Sequence, residues 1–149
     1  MTASNHAVAG AVIASVVANP VIAIPLAFAS HFVMDAMPHY GDRNKSSWLN
    51  RNFHYVLVSD FIVTLSFISF TIFKSPPNLF MIFICAVVAV LPDVLWLPYY
   101  LADIRHKDRP HSKTARFLKW IQWGERPWGI VIEIGVFILL VHTFIKQIS

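Results

Sequence analysis

Ser30-His31-Phe32-Val33-Met34-Asp35-Ala36-Met37-Pro38-His39 closes an apolar run that carries no Asp, Glu, Lys or Arg between Ala7 and Met34. Side chains four apart share one face of a helix, so His31 and Asp35 can grip each other or one metal ion. The run itself reads as membrane-embedded. Ionisable groups at membrane depth are rare, and they mark sites.

Composition supports the same reading. Hydrophobic residues make up 56% of the 149 and charged residues only 13%, against roughly a quarter charged in soluble domains. The stretches Ile62 to Phe73 and Pro76 to Leu91 are also bare of charge, while Asp103 to Arg126 gathers most of the basic residues. We expect one integral-membrane domain over 1–149. The N-terminal run lacks a positive n-region and continues past the length of an h-region, so it reads as a retained span rather than a cleaved signal. Cys85 is the only cysteine. It excludes an internal disulfide and fits a small buried apolar residue.

The expected fold is an all-α, polytopic membrane helical bundle of about five spans, two hairpins plus a final helix. Ala7 to Ala18 is the first arm, Asn19-Pro20 a break, and Val21 to Met37 the second arm, with Pro20 suited to the first helical position. A polar loop, His39 to Asn52, leads to a helix from about Phe53 to Phe73. Lys74-Ser75-Pro76-Pro77 then turns into a helix from about Asn78 to Leu101, interrupted or bent near Pro92 and again near Pro98. Ser112 to Trp123 sets Phe117, Trp120 and Ile121 against Lys113, Arg116 and Lys119, the pattern of an interfacial amphipathic helix. The last span runs from about Trp128 to Ile145.

By the positive-inside rule the loop with Arg43, Lys45 and Arg51 and the loop from Arg105 to Arg126 are both cytoplasmic. An out-and-back first hairpin agrees, since it puts both loops on one side. His6, His31, Asp35, Asp60, Asp93 and Glu133 then fall in one layer near the cytoplasmic edge, within roughly 10 Å at about 1.5 Å of rise per residue. The other half of the bundle receives His142 alone.

Taken singly, each residue has an ordinary structural explanation. His6 and His31 can be hydrogen-bonded helix residues, Asp35 can cap a helix end, and Asp93 can satisfy backbone groups freed at Pro92. Asp60 can pair with His54 or Arg51. Taken together they call for a cation, because several desolvated carboxylates in one layer are tolerated when something positive compensates them. Imidazole and carboxylate without thiolate fit a divalent metal, zinc first, with manganese or iron as alternatives. His39 can fold back toward the same ion and Asp60 can act as a base, which makes these two the candidate catalytic residues.

Asn5-His6-Ala7-Val8-Ala9-Gly10, Ser30 to Asp35 with Pro38-His39, and Leu91-Pro92-Asp93 together resemble small bacterial inner-membrane proteins known as membrane-bound metal-dependent hydrolases, in particular their short members. That resemblance implies His6, His31, Asp35 and Asp93 as the metal-binding positions and a location in the bacterial inner membrane. A more distant likeness in ligand type is to the all-helical zinc-dependent phospholipases C.

Three functions remain open at this point. One is a membrane-embedded hydrolase of a lipid or lipid-linked phosphoester, whose basic loops attract an anionic headgroup. Another is a metal- or proton-binding membrane protein or transporter subunit without catalysis. In the third the polar layer only fixes helix packing. Membrane lipids are the expected partners, and an anionic lipid is the expected substrate. Nucleic acid is excluded as a reading of the net charge of +4, because the basic residues border apolar spans.

Overall fold

The computed structural model describes residues 1–41, 51–97, 101–102, 105, 113, 117, 120 and 124–149. Among them the chain is mostly helical: α1 (Ala3–Val16), α2 (Pro20–Asp35), α3 (Arg51–Lys74), α4 (Leu79–Val90), a 3₁₀ segment (Leu91–Trp96) and α5 (Gly129–Ile148). Two short strands, β1 (His39–Tyr40) and β2 (Glu125–Arg126), pair in parallel, with His39 opposite Glu125.

Local chemistry explains most of the boundaries. Asn19 Oδ1 accepts from Val21 N at 2.9 Å and Pro20 takes the first helical position, so α2 starts where its cap dictates. Pro38 disfavours helical backbone at Met37, which ends α2 just after Asp35. The α3 sequence holds neither glycine nor proline and runs unbroken for 24 residues. Ser75 then turns left-handed at φ 45 and donates its N–H to Thr71 O at 3.0 Å, closing the helix ahead of Pro76-Pro77.

α1 is the central helix. It packs against α4, α5, α2 and α3, and its small residues Val8, Ala11 and Ala14 sit in one core with Ala23, Ala27, Ile82, Cys85, Ala89, Phe67 and Phe144. Small residues on facing helices let the backbones approach closely. Gly10 shows how close: a Cβ there would lie 2.3 Å from the Cys85 carbonyl oxygen. Both ends of this buried helix borrow partners from other helices. Asp60 of α3 accepts from Ala3 N and Ser4 N at 2.9 and 3.0 Å, and Asn78 Nδ2 donates to Ala14 O at 2.8 Å.

α3 and α5 are long and apolar enough to cross a membrane, and they turn large apolar side chains such as Phe61, Phe73, Val131 and Leu139 outward. α1, α2 and Leu79–Leu95 are apolar but shorter. At 14 and 16 residues, α1 and α2 are about 21 and 24 Å long.

Two expected boundaries shift. α1 begins at Ala3 rather than Ala7, because the Asp60 carboxylate caps it from another helix. The fourth helix is interrupted near Pro92 as expected: it tightens to 3₁₀ over Leu91–Trp96, where Pro92 withholds an N–H. The loop expected from His39 begins with the parallel strand pair. Gly129 makes that pairing fit, since a Cβ there would sit 2.1 Å from the His39 carbonyl carbon. Pro98, Arg43, Lys45 and the interfacial helix expected over Ser112 to Trp123 lie outside the described residues, apart from Lys113, Phe117 and Trp120. Phe117 lies 6.1 Å from Phe32, ring to ring.

Candidate metal centre

Three chain segments deliver the four side chains, α2 supplying two of them. His6 lies one turn into α1, His31 and Asp35 close α2, and Asp93 follows Pro92 in the 3₁₀ segment. One ligand atom from each of the four lies within 4.8 Å of all the others. His6 Nε2 is 3.1 Å from Asp35 Oδ1, and His31 Nε2 is 3.3 Å from Asp35 Oδ2 and 3.8 Å from Asp93 Oδ1. The two imidazoles stack at 4.0 Å between centroids. Asp35 Oδ1 also accepts from the Met1 amino group.

The spacing suits a shared ion. Tetrahedral zinc with bonds of about 2.1 Å holds its ligand atoms about 3.4 Å apart, whereas a direct charge-assisted hydrogen bond contracts to about 2.7–2.9 Å. The contact of 3.1 Å between His6 Nε2 and Asp35 Oδ1 is a direct hydrogen bond, and those of 3.3 and 3.8 Å from His31 Nε2 lie near the ligand separation that zinc needs.

The backbone fixes the chemistry of His31. Its Nδ1 lies 2.8 Å from the Ala89 carbonyl. A carbonyl can only accept, which puts a proton on Nδ1 and turns Nε2 toward two carboxylates, as a donor to them when the ring is protonated and as a free ligand atom once that proton is displaced by a metal ion. In the 3₁₀ register the residue three beyond Ala89 is Pro92, which has no N–H to occupy that carbonyl. The proline therefore does two things: it breaks the helix that carries Asp93 and frees the acceptor that orients His31. Such an outer hydrogen bond is what orients imidazole ligands in metal sites.

Exposure is graded across the group. The side chains of His6, His31 and Asp35 are 0%, 2% and 6% exposed, and that of Asp93 is 21% exposed, so the group opens at Asp93.

The two candidate catalytic residues stand differently. Asp60 has both carboxylate oxygens on the α1 amides, a helix-capping position that places it beside the group without joining it. His39 is buried in β1 and its Nδ1 donates to Met37 O at 2.8 Å, again leaving Nε2 as the acceptor. Burial, with the nearby Met1 amino group, holds the His39 imidazole below its usual pKa, against the opposing pull of the Met37 carbonyl and Asp35. The ligand group contains neither residue.

Sequence reasoning passed over the Ala89 carbonyl, since a backbone atom leaves no mark in the sequence beyond the proline three residues on. It also left Glu133 in the polar layer without a role. Glu133 and Asn5 are both buried, and Asn5 Nδ2 reaches the Glu133 carbonyl oxygen at 3.4 Å.

Fold and site thus define a mostly helical chain, two of whose helices are long and apolar enough to cross a membrane, with a buried group of two histidines and two aspartates that could hold a metal ion. No family model, curated protein or solved structure matches the chain.

Proposed function

We propose that this protein is a membrane-embedded, metal-dependent hydrolase of a lipid or lipid-linked phosphoester. The observation that carries the proposal is the graded ligand group: His6, His31 and Asp35 closed inside the bundle, with Asp93 at the open edge. Three inward ligands and one accessible side fit a catalytic site, which keeps a position for water or substrate. Zinc fits the donor set best, with manganese or iron as alternatives. A divalent ion held there supplies Lewis acidity toward a phosphoryl oxygen and acidifies water. The chain's own part is to orient His31 through Ala89, to exclude bulk water with the apolar helices, and to offer the His39 Nε2 as a proton acceptor outside the ligand group. The resemblance in His6, His31, Asp35 and Asp93 supports the same reading.

The bundle is read as about five spans in a bacterial inner membrane with both basic loops cytoplasmic. The outward apolar faces of α3 and α5 support this, as does the short, largely buried helix α1, whose two ends are hydrogen-bonded to other helices as a membrane interior requires. Single cysteines at Ser47, Ser112 and Ser149 in a Cys85→Ser background test the topology by accessibility labelling. Ser47 and Ser112 should label from one side and Ser149 from the other. Labelling of Ser47 and Ser112 from opposite sides defeats the five-span arrangement.

For the chemistry, detergent-purified protein should carry zinc in stoichiometric amount, lose more than about 100-fold in affinity with His31→Ala, and hydrolyse phospholipid or lipid-linked phosphate only when metal-loaded. Asp93→Ala should lose turnover more completely than it loses metal, because it holds the open edge. A second reading, metal binding without catalysis, is favoured by the count of four protein ligands, which is the number in closed structural sites. Fully metal-loaded protein that turns over no phosphoester in a broad lipid panel selects that second reading.

A further inference from the structure

The glycines of this chain are of two kinds. Gly10, Gly41, Gly124 and Gly129 each press against another part of the chain, where a Cβ would come within 2.7 Å of a neighbouring atom. Gly135 does not. It lies exposed near the middle of α5, and a Cβ there meets nothing within 4 Å. Glycine inside a helix weakens it, and no close approach within the chain accounts for this one. His142 stands one heptad further along α5 and is exposed as well. At 20 residues α5 is about 30 Å long, the thickness of a bilayer's hydrocarbon core. His142 lies six residues before Ile148, about 9 Å inside that end. Lys146, nearer the end, reaches the headgroups on its long stem. The shorter imidazole stays in the hydrocarbon, which offers it neither donor nor acceptor. Among the described residues no hydrogen bond or ring contact reaches it.

These two residues belong to one seam. Val131, Gly135, Ile138, His142 and Ile145 follow one another at alternating spacings of four and three, the repeat by which one helix lies along another. All five are exposed, Val131 and Ile138 by 69% and 62%. The buried residues of α5, Gly129, Glu133 and Phe144, lie on the opposite side, toward the bundle. The outward face of α5 thus carries, in register, a notch that nothing in the chain fills and a polar group that nothing in the chain satisfies.

We propose that α5 packs against α5 of a second copy of this chain, with Gly135 at the closest approach and the two His142 imidazoles hydrogen-bonded to each other across a two-fold axis along the membrane normal. The polar group selects the occupant. A two-fold contact uses the same patch on both copies, so residues near the axis meet their own equivalents. Neutral imidazole has one donor and one acceptor, which makes it complementary to itself, whereas two lysines or two aspartates would repel. Both copies insert in the same sense, because they carry the same basic loops. The two helices are therefore parallel, and the seam meets itself in register. Glycine at the crossing lets the backbones come close, which is how helices in a membrane gain contact. The inference rests on α5 crossing the membrane, and on neither the metal group nor hydrolysis.

The test is oxidative cross-linking of single cysteines in bacterial inner-membrane vesicles, in a Cys85→Ser background, together with sedimentation equilibrium of the full chain in detergent. Val131→Cys and Ile138→Cys should each form a covalent dimer in several-fold higher yield than Phe61→Cys, which faces outward on α3 and reports random collision. Gly135→Leu should weaken association more than about tenfold, as overpacking at a close contact does. Its unfolding temperature should be no lower than that of wild type, since within one chain the new side chain enters open space. His142→Leu should weaken association about threefold to tenfold, the range of one hydrogen bond between helices in lipid, and His142→Asn, which keeps a donor and an acceptor, should recover most of that loss. Equal yields from Ile138→Cys and Phe61→Cys, or wild-type association of Gly135→Leu, would show that this face meets lipid and overturn the dimer. A cross-link from Ile138→Cys to a polypeptide of different mass would put another protein in place of the second copy and overturn it as well. Labelling of Ser149 from the same side as Ser47 would remove the span itself, and so separates a failure of the topology from a failure of the interface.

Discussion

The two ends of α1 solve the same problem by opposite means. At its C-terminal end Ala11 and Ala14 pack among Ala23, Ala27, Ile82 and Cys85, and the Ala14 carbonyl accepts from Asn78 Nδ2. At its N-terminal end Asn5 and His6 are as deeply buried, but among Asp35, Asp60, Asp93 and Glu133. One end is held by fit, the other by charge and hydrogen bonds. The difference teaches that burial alone does not define a core: among the described residues, the buried side-chain atoms without a hydrogen-bond partner are all at the polar end, on Asn5, His6 and Glu133. A region selected only for packing would replace such atoms with carbon, often at a gain in stability.

Gly10, between the two ends, offers the sharpest way to break the comparison. A side chain there meets the Cys85 backbone, which cannot rotate away as a side chain would. Gly10→Val should cost more than about 3 kcal/mol, beyond the usual range for overpacking, and should abolish metal binding only by unfolding the protein. Unfolding of detergent-purified variant in graded denaturant checks this. A variant within about 1 kcal/mol of wild type would mean that α1 and α4 do not approach as closely as the backbone indicates.

Pro92→Ala acts at the polar end with little demand on the fold. Restoring the N–H lets α4 continue and competes for the carbonyls that the proline leaves open, so His31 loses its fixed orientation. Metal affinity should fall about 10–100-fold, the usual cost of losing an outer hydrogen bond, while thermal stability holds or rises. Unchanged affinity would show that the Ala89 bond is incidental.

The smallest effect concerns His39, beyond the end of α2. Its pKa is held below the usual 6.5 by burial, so the unfolded chain takes up the proton first. The stability that neutral His39 contributes is present in full above about pH 6.5 and is lost as the pH falls through that value toward the lower folded one. Wild type should therefore lose more stability between about pH 7 and 5 than His39→Gln does. Parallel pH series of thermal unfolding give the difference directly, and identical slopes would place the His39 ring in water.

Much of this was legible in the chain itself. The bare apolar runs dictate helices, Asn19-Pro20 and Ser75-Pro76 fix two turns, and the spacing of His31 and Asp35 puts both on one face, because each of these is a local property of neighbouring residues. Even the polar layer could be read, since the direction of each helix follows from where its charges stand. What only the tertiary structure decided is which atoms meet. Asp60 proved to be the cap of α1, which is why that helix begins at Ala3 and encloses His6. The Ala89 carbonyl, invisible in any motif, orients His31. The parallel pairing of His39 with Glu125 joins residues far apart in the chain through a glycine contact. Each of these is a long-range hydrogen bond or a backbone approach, and such contacts are set by how the helices pack rather than by the preferences of the residues that make them.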